Sequence, residues 1–252
     1  MATDAGNVLI VCRNSLTYTK ACVESVLKQS VPINLLIIDN ASTDGTGIWL
    51  RSADLDISCV SVPEPLSVSE AWNLGLEWFW NQGAQEALVL NNDVEIRPTT
   101  YIELKHYLNK HNKGVVTGGG ADTRELYEVP YPEEWTEINH PHFSAFMIAR
   151  WAWERLHGFD EEYKGAYVED CDLHVRAHRA GISCVRIELP FLHHISCTIK
   201  DSDPVEVQRI QQNAEHNRQR FQSKYGCLPT DHPEYDSLFD PQTFGSDLSA
   251  TK

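Results

Sequence analysis

The 252-residue sequence predicts an α/β fold: a Rossmann-like, mostly parallel sheet with helices on both faces. Two patterns carry that prediction. Strand-like and helix-like segments alternate through about residue 117. The strand-like segments are continuous apolar runs, as expected of strands buried on both faces, not alternating ones. A third observation locates a site. Polar residues stand at the carboxyl ends of three of these runs, the edge where such sheets bind ligands.

The elements follow in order. Asn7–Cys12 (NVLIVC) reads as the first buried strand, and Thr19–Gln29 as a helix with Ala21, Cys22, Val26 and Leu27 on its apolar face. Ile33–Ile38 is the second strand, ending in Asp39; the turn-rich NASTDGTG (40–47) leads into a helix through Ile48, Trp49 and Leu50. Ser58–Val62 is the third strand. Val68–Gln82 is an amphipathic helix stopped by Gly83. Ala87–Leu90 is the fourth strand, running into Asn91-Asn92-Asp93. Pro98-Thr99 opens another helix, and Val115–Thr117 is a fifth strand. The second half is less regular. Residues 121–142 read as a long loop with Tyr131 and Trp135; 143–153 are apolar; an acid-rich block at 158–172 becomes a helix ended by Gly181. Ser183–Leu192 is extended and closes on His193-His194. Pro204–Tyr225 is a polar helix, and the Pro-, Asp- and Ser-rich tail 226–252 is expected to be irregular.

Composition narrows the function. With 42% hydrophobic residues the chain builds a sizeable core. The net charge of −15, with 21 scattered Lys and Arg, argues against a nucleic-acid partner, whose phosphates need basic clusters. Seven cysteines with no CxxC pair, several of them inside apolar runs, suit a reduced cytoplasmic chain. The N-terminus has no signal-peptide pattern, so the Asn40-Ala41-Ser42 sequon carries little weight. No apolar run reaches the ~18 residues of a membrane span, which leaves peripheral attachment open.

Each polar group has a structural and a functional reading. Asp39 fixes a turn or accepts a hydrogen bond from a base or ribose. Asp93 is a turn residue or a ligand for Mg²⁺ or Mn²⁺, which take oxygen ligands and commonly share them with substrate phosphates. Glu169, Asp170 and Asp172 stabilise a helix N-terminus or supply a general base. His193 and His194 are structural, or one of them binds metal. Gly118-Gly119-Gly120 matches neither phosphate-loop pattern and reads as a flexible turn.

The order of these signals is more specific than any one of them. IIDNASTDGT (37–46), LNND (90–93), GFDEEY (158–163) with YVEDCDLHVRAHRAG (167–181), and HHISCT (193–198) together resemble family 2 glycosyltransferases of the GT-A fold, over roughly residues 7–200. The resemblance implies one GT-A domain, 1–225, in which 7–117 bind the donor and 118–225 carry the acceptor and catalytic groups. It implies an inverting, metal-dependent transfer of a sugar from a nucleotide-diphosphate donor to an acceptor hydroxyl, by default on a glycan. Arg13, Asn14, Asp39, Asn40, Ser42, Asn73, Asn91 and Asn92 would line the donor pocket. Asp93, with His193 or His194, would hold Mn²⁺ or Mg²⁺. Asp170 would be the base, with Glu169 and Asp172 as alternatives, and Tyr131 and Trp135 would stack on the acceptor. Asn91 and Asn92 stand where many relatives carry acids, so metal binding leans on Asp93. A nucleotidyltransferase and a non-catalytic nucleotide- or sugar-binding module are the rival readings. The first would want a basic phosphate-gripping loop near residue 13, and the second would not need Asp170.

Overall fold

The computed structural model describes residues 5–132, 134–138, 143–194, 204–229 and 233–239. The first half follows the expected alternation: β1 (Gly6–Cys12), α1 (Leu16–Leu27), β2 (Ile33–Asn40), α2 (Thr46–Ser52), β3 (Ser58–Val62), α3 (Val68–Asn81) and β4 (Glu86–Asn91). All three strand pairings among them, β1 with β2, β1 with β4 and β2 with β3, are parallel. Local chemistry sets the ends. Helix α3 starts on a capping box, in which the Ser67 side chain accepts from the Glu70 amide and the Glu70 carboxylate accepts from the Ser67 amide.

The second half is mixed. After β5 (Val94–Glu95) and α4 (Thr100–Lys110) come β6 (Val115–Ala121), α5 (Arg124–Tyr127), β7 (Glu137–Ile138), β8 (Ala145–Ala149) and α6 (Arg150–Leu156). Helix α7 (Glu169–Arg179), β9 (Cys184–His193), α8 (Pro204–Tyr225) and α9 (Pro233–Ser237) complete the chain. Strand β8 lies antiparallel between β4 and β6, and β6 runs parallel to β9. The sheet order is β3-β2-β1-β4-β8-β6-β9-β5, with β7 also on β9.

Three expectations change. Gly118-Gly119-Gly120 is not a turn: it lies in β6, which pairs with β9 on both sides of a register shift between Thr117 and Gly119. The glycines permit close approach there, because a Cβ on Gly118 would sit 2.8 Å from the Leu189 carbonyl oxygen and 2.9 Å from the Phe191 ring. The supposed loop 121–142 contains α5 and β7, and β7 is tied down where Tyr107 and Lys113 both bond the Glu137 carboxylate. The tail contains α9, whose Tyr235 packs with Leu238, Cys227, Phe221, Tyr163, Val168 and Val175 in a second, smaller core. Residues 240–252 lie outside the described residues. The main core joins both faces of the sheet through Leu9, Ile37, Leu88, Phe146 and Phe191. Among the described residues, no helix is long and apolar enough to cross a membrane.

Replacing Gly118 by Ala should cost about 1–3 kcal/mol, the range for an overpacked core position. Urea unfolding monitored by circular dichroism reads this directly; an unchanged midpoint would mean that β6 and β9 separate easily at this point.

Candidate functional site

Parallel pairing brings the three polar strand ends together. Cys12 sits beside Asp39, and Val11 sits beside Asn91. The β1–α1 and β2–α2 loops are then stitched to each other. The Asn14 amide donates to Ser42 Oγ at 2.9 Å, and the Thr43 amide donates to Asn14 Oδ1 at 2.7 Å. Asp44 accepts from the Leu16 amide at 2.9 Å and from both the amide and hydroxyl of Thr46. Asn14 and Ser15 hold left-handed backbone in this junction.

The sequence-predicted donor residues divide by what they touch. Asp39 is buried; its Oδ1 accepts from the Ser42 amide at 3.1 Å, and its Oδ2 lies against Gly47 of α2, where a side chain would collide with it. Asn40 is closed onto the main chain of Leu66, accepting from its amide at 2.8 Å and donating to its carbonyl at 3.0 Å. Asn73 clamps the turn before the acid block: Oδ1 accepts from the Phe159 amide and Nδ2 donates to the Phe159 carbonyl, each at 2.9 Å. Asn92 points inward, donating to Thr19 Oγ1 at 2.9 Å. Arg13 pairs with Glu206 of α8 at 3.4 Å. Burial lowers its guanidinium pKa, and Glu206 offsets part of that shift. Tyr131 and Trp135 pack edge to face against each other, and Arg97 covers the Tyr131 ring.

Asp93 lies two residues past the end of β4, and β5 then pairs antiparallel with the end of β9, setting Val94 opposite His193. This fold-back carries His193 Nε2 to 3.5 Å from Asp93 Oδ2. His194 turns elsewhere, with Nε2 2.9 Å from Glu95 and its ring 5.0 Å from that of Tyr18. Among the described residues, no group of three or more His, Cys, Asp or Glu side chains is arranged to hold a metal. Residues 195–198 of the HHISCT segment lie outside the described residues.

Residues 7–159 fit the model of glycosyl transferase family 2. The chain belongs to that family. No curated protein matches it. Among solved structures, TarS 1-349 of S. aureus in complex with UDP-GlcNAc has a TM-score of 0.61 at 15% identity, over 93% of this chain and 70% of that one. This chain spans 58% of TarS 1-349 in its UDP complex and 44% of a longer TarS chain. The mannosyltransferase PcManGT from Pyrobaculum calidifontis, in complex with GDP-Man and Mn²⁺, has a TM-score of 0.57 at 15% identity, over 97% of this chain and 85% of that one. These likenesses establish the fold, the GT-A arrangement expected from the sequence.

In this family 2 chain the acid block separates into two kinds of carboxylate. Asp172 is fully buried and saturated. It accepts from Arg176 Nε at 2.6 Å, Lys224 Nζ at 2.6 Å, the Tyr225 hydroxyl at 2.7 Å and the Tyr163 hydroxyl at 3.2 Å. Burial and then the Asp172 charge push both tyrosine hydroxyls well up, so they remain protonated donors. Glu169 and Asp170 are under-paired by comparison. Glu169 is 6% exposed, and burial followed by the neighbouring Asp170 charge raises its carboxyl well above the ordinary range. Asp170 is half-buried; burial raises it too, although its Oδ1 accepts from the Cys171 amide at 2.8 Å. Tyr167, two residues before Glu169, was passed over in the sequence reading. Burial, then the charges of Glu169 and Asp93, raise its hydroxyl, so both carboxylates lie within electrostatic reach of one phenol. Its position just before Glu169 was visible in the sequence, but its reach toward Asp93 depends on a backbone turn that was not.

A carboxyl raised in the folded state keeps its proton where the unfolded chain has lost it. Stability from Glu169 is therefore full below the ordinary glutamate pKa of about 4.3 and falls as pH rises through the raised folded value. Glu169→Gln should remove that loss, raising the melting temperature relative to wild type at pH 7.5 and not at pH 4. An equal difference at both pH values would show that the buried charge is not what costs stability there.

Proposed function

We propose that the chain transfers a sugar, with inversion, from a nucleoside diphosphate donor to an acceptor hydroxyl on a glycan, in a metal-dependent reaction. The observation that carries this reading is the Asp93–His193 pair, which the fold-back of β5 on β9 brings together just past the end of β4. Family membership supports the reaction class. The nucleotide sugars held by TarS and PcManGT, and the Mn²⁺ in the latter, support the donor and metal classes.

One carboxylate oxygen and one imidazole nitrogen form a donor set that suits Mn²⁺ or Mg²⁺ when substrate phosphates complete the shell. Asp93 and His193 would hold such an ion, which would supply positive charge beside the donor diphosphate when bound. Asp39, fixed at the end of β2, accepts from the nucleoside, with the Asn14–Ser42 junction shaping the pocket wall. Asp170, the more open of the two under-paired acids, takes the acceptor proton. The acceptor oxygen bonds the anomeric carbon from the face opposite the leaving group, the bond to the diphosphate breaks, and its electron pair leaves on the phosphate oxygen. The division into a donor half at 7–117 and an acceptor half at 118–225 follows from this assignment. The six described cysteines are all free, which supports a cytoplasmic setting.

Thermal shift against UDP-, GDP- and dTDP-sugars, with Mn²⁺ or with EDTA, tests the donor and metal together, because a ligand bound only to the folded state raises the melting temperature. One nucleotide should give a Mn²⁺-dependent rise that Asp93→Ala loses. Asp170→Asn should keep that rise and lower kcat for nucleoside diphosphate release by roughly 10²–10⁴-fold, the usual range for a general base. No shift with any nucleotide, or full turnover in Asp170→Asn, would overturn the reading.

A further inference from the structure

We propose that Asn217, on α8, is a positioning residue: it fixes the strained backbone turn that delivers Glu169 and Asp170 to the site. Tyr167 and Val168, the two residues before Glu169, both hold φ of 79°. Left-handed backbone is costly for any residue with a Cβ and rarest for a β-branched one. Two in succession persist only where the surroundings over-determine them, and such strain gathers at functional sites. Here the surroundings are mainly one side chain. Asn217 is 0% exposed. Its Nδ2 donates to the carbonyls of Lys164 at 2.9 Å, Ala166 at 3.2 Å and Tyr167 at 2.9 Å, and its Oδ1 accepts from the Lys164 amide at 2.8 Å. An amide has two hydrogens, so three carbonyls share two donors, and every polar atom of the side chain is spent on the turn.

Other contacts hold the turn and the helix around that amide. The Gly165 carbonyl accepts from the Val68 amide at the start of α3 at 2.6 Å. A Cβ on Gly165 would lie 2.5 Å from Asn213 Nδ2, so α8 packs directly on this backbone. Arg220 and Lys224 anchor the same helix to Asp160, each at 3.0 Å. The Asp172 network fixes α7 one turn further on, and does not touch the carbonyls that set the entry direction of Glu169. Without the Asn217 amide, three carbonyls of the turn lose their donor and the turn relaxes toward ordinary backbone. The start of α7, which carries the two acids, then loses its fixed direction.

The catalytic consequence rests on the proposed transferase reading; the structural one does not. Asn217→Ala, Val168→Gly and the double variant are compared with wild type by hydrogen exchange of amides 164–170, by kcat and donor KM, and by pH profile. In Asn217→Ala, exchange at 164–170 should quicken at least tenfold, kcat should fall at least thirtyfold with KM within threefold, and the donor-induced melting shift should persist. Glycine adopts positive φ without a Cβ penalty. Val168→Gly should therefore recover at least tenfold in kcat in the Asn217→Ala background, a rescue that loss of general stability would not show. If Asn217→Ala does not fold, Asn217→Ser, which keeps one donor, is read in the same way. Exchange and kcat within twofold of wild type, or a kcat loss that Val168→Gly leaves untouched, would overturn the inference. A wild-type chain without turnover would count against the transferase reading, and exchange at 164–170 would then decide this one.

Discussion

The register of β1 with its two neighbours is the constraint on which the site depends. β1 pairs in parallel with β2 on one side and β4 on the other, and the three apolar runs end within two residues of the same level. Whatever polar residue follows each run is delivered to a common edge. The ladder makes this strict, because a one-residue slip would turn Asp39 to the opposite face and bury its neighbour's polar group in its place. This polar edge is thus specified by where hydrophobicity stops as much as by which acids follow.

Once the ends coincide, the loops must be held apart and in shape. Much of the polar inventory at this edge does that work. Asn14 bridges the two loops, Asp44 caps two chain segments at once, Asn92 ties the end of β4 back to Thr19 on α1, and Asn40 closes on Leu66. Each of these side chains satisfies buried or turn backbone, which is costly to leave unpaired. Through these bonds they hold the loops at this edge in shape.

The same division explains what was legible in the sequence. Continuous apolar runs and helical spacing report burial directly, so β1 to β4, α3 and α8 were readable to within a residue or two. The LNND stretch was readable as a strand end. Its pairing with His193 rather than His194 was not, because that follows from β5 folding back on β9 across a hundred residues. Three glycines look the same whether they free a turn or let two strands approach, and only the Leu189 carbonyl and Phe191 ring decide between them. In the acid block the sequence offered three equivalent carboxylates. Their differences come from Tyr163, Lys224 and Tyr225, which are remote in sequence from at least part of the block and have no periodicity linking them to it.

Those differences also account for how α7 tolerates its own first turn. Glu169 and Asp170 are buried acids with few donors, an arrangement that disfavours their ionised forms and costs stability at neutral pH. Asp172 is deeper still and has four donors, two of them cationic. A buried carboxylate with so many donors fixes its partners in place, and removing one partner from such a group typically costs several kcal/mol. The saturated acid therefore locks α7 to α8 and to Tyr163, and this lets the two unsaturated acids remain poised at the helix start. The number of donors separates the carboxylate that holds the helix from the two acids at its start.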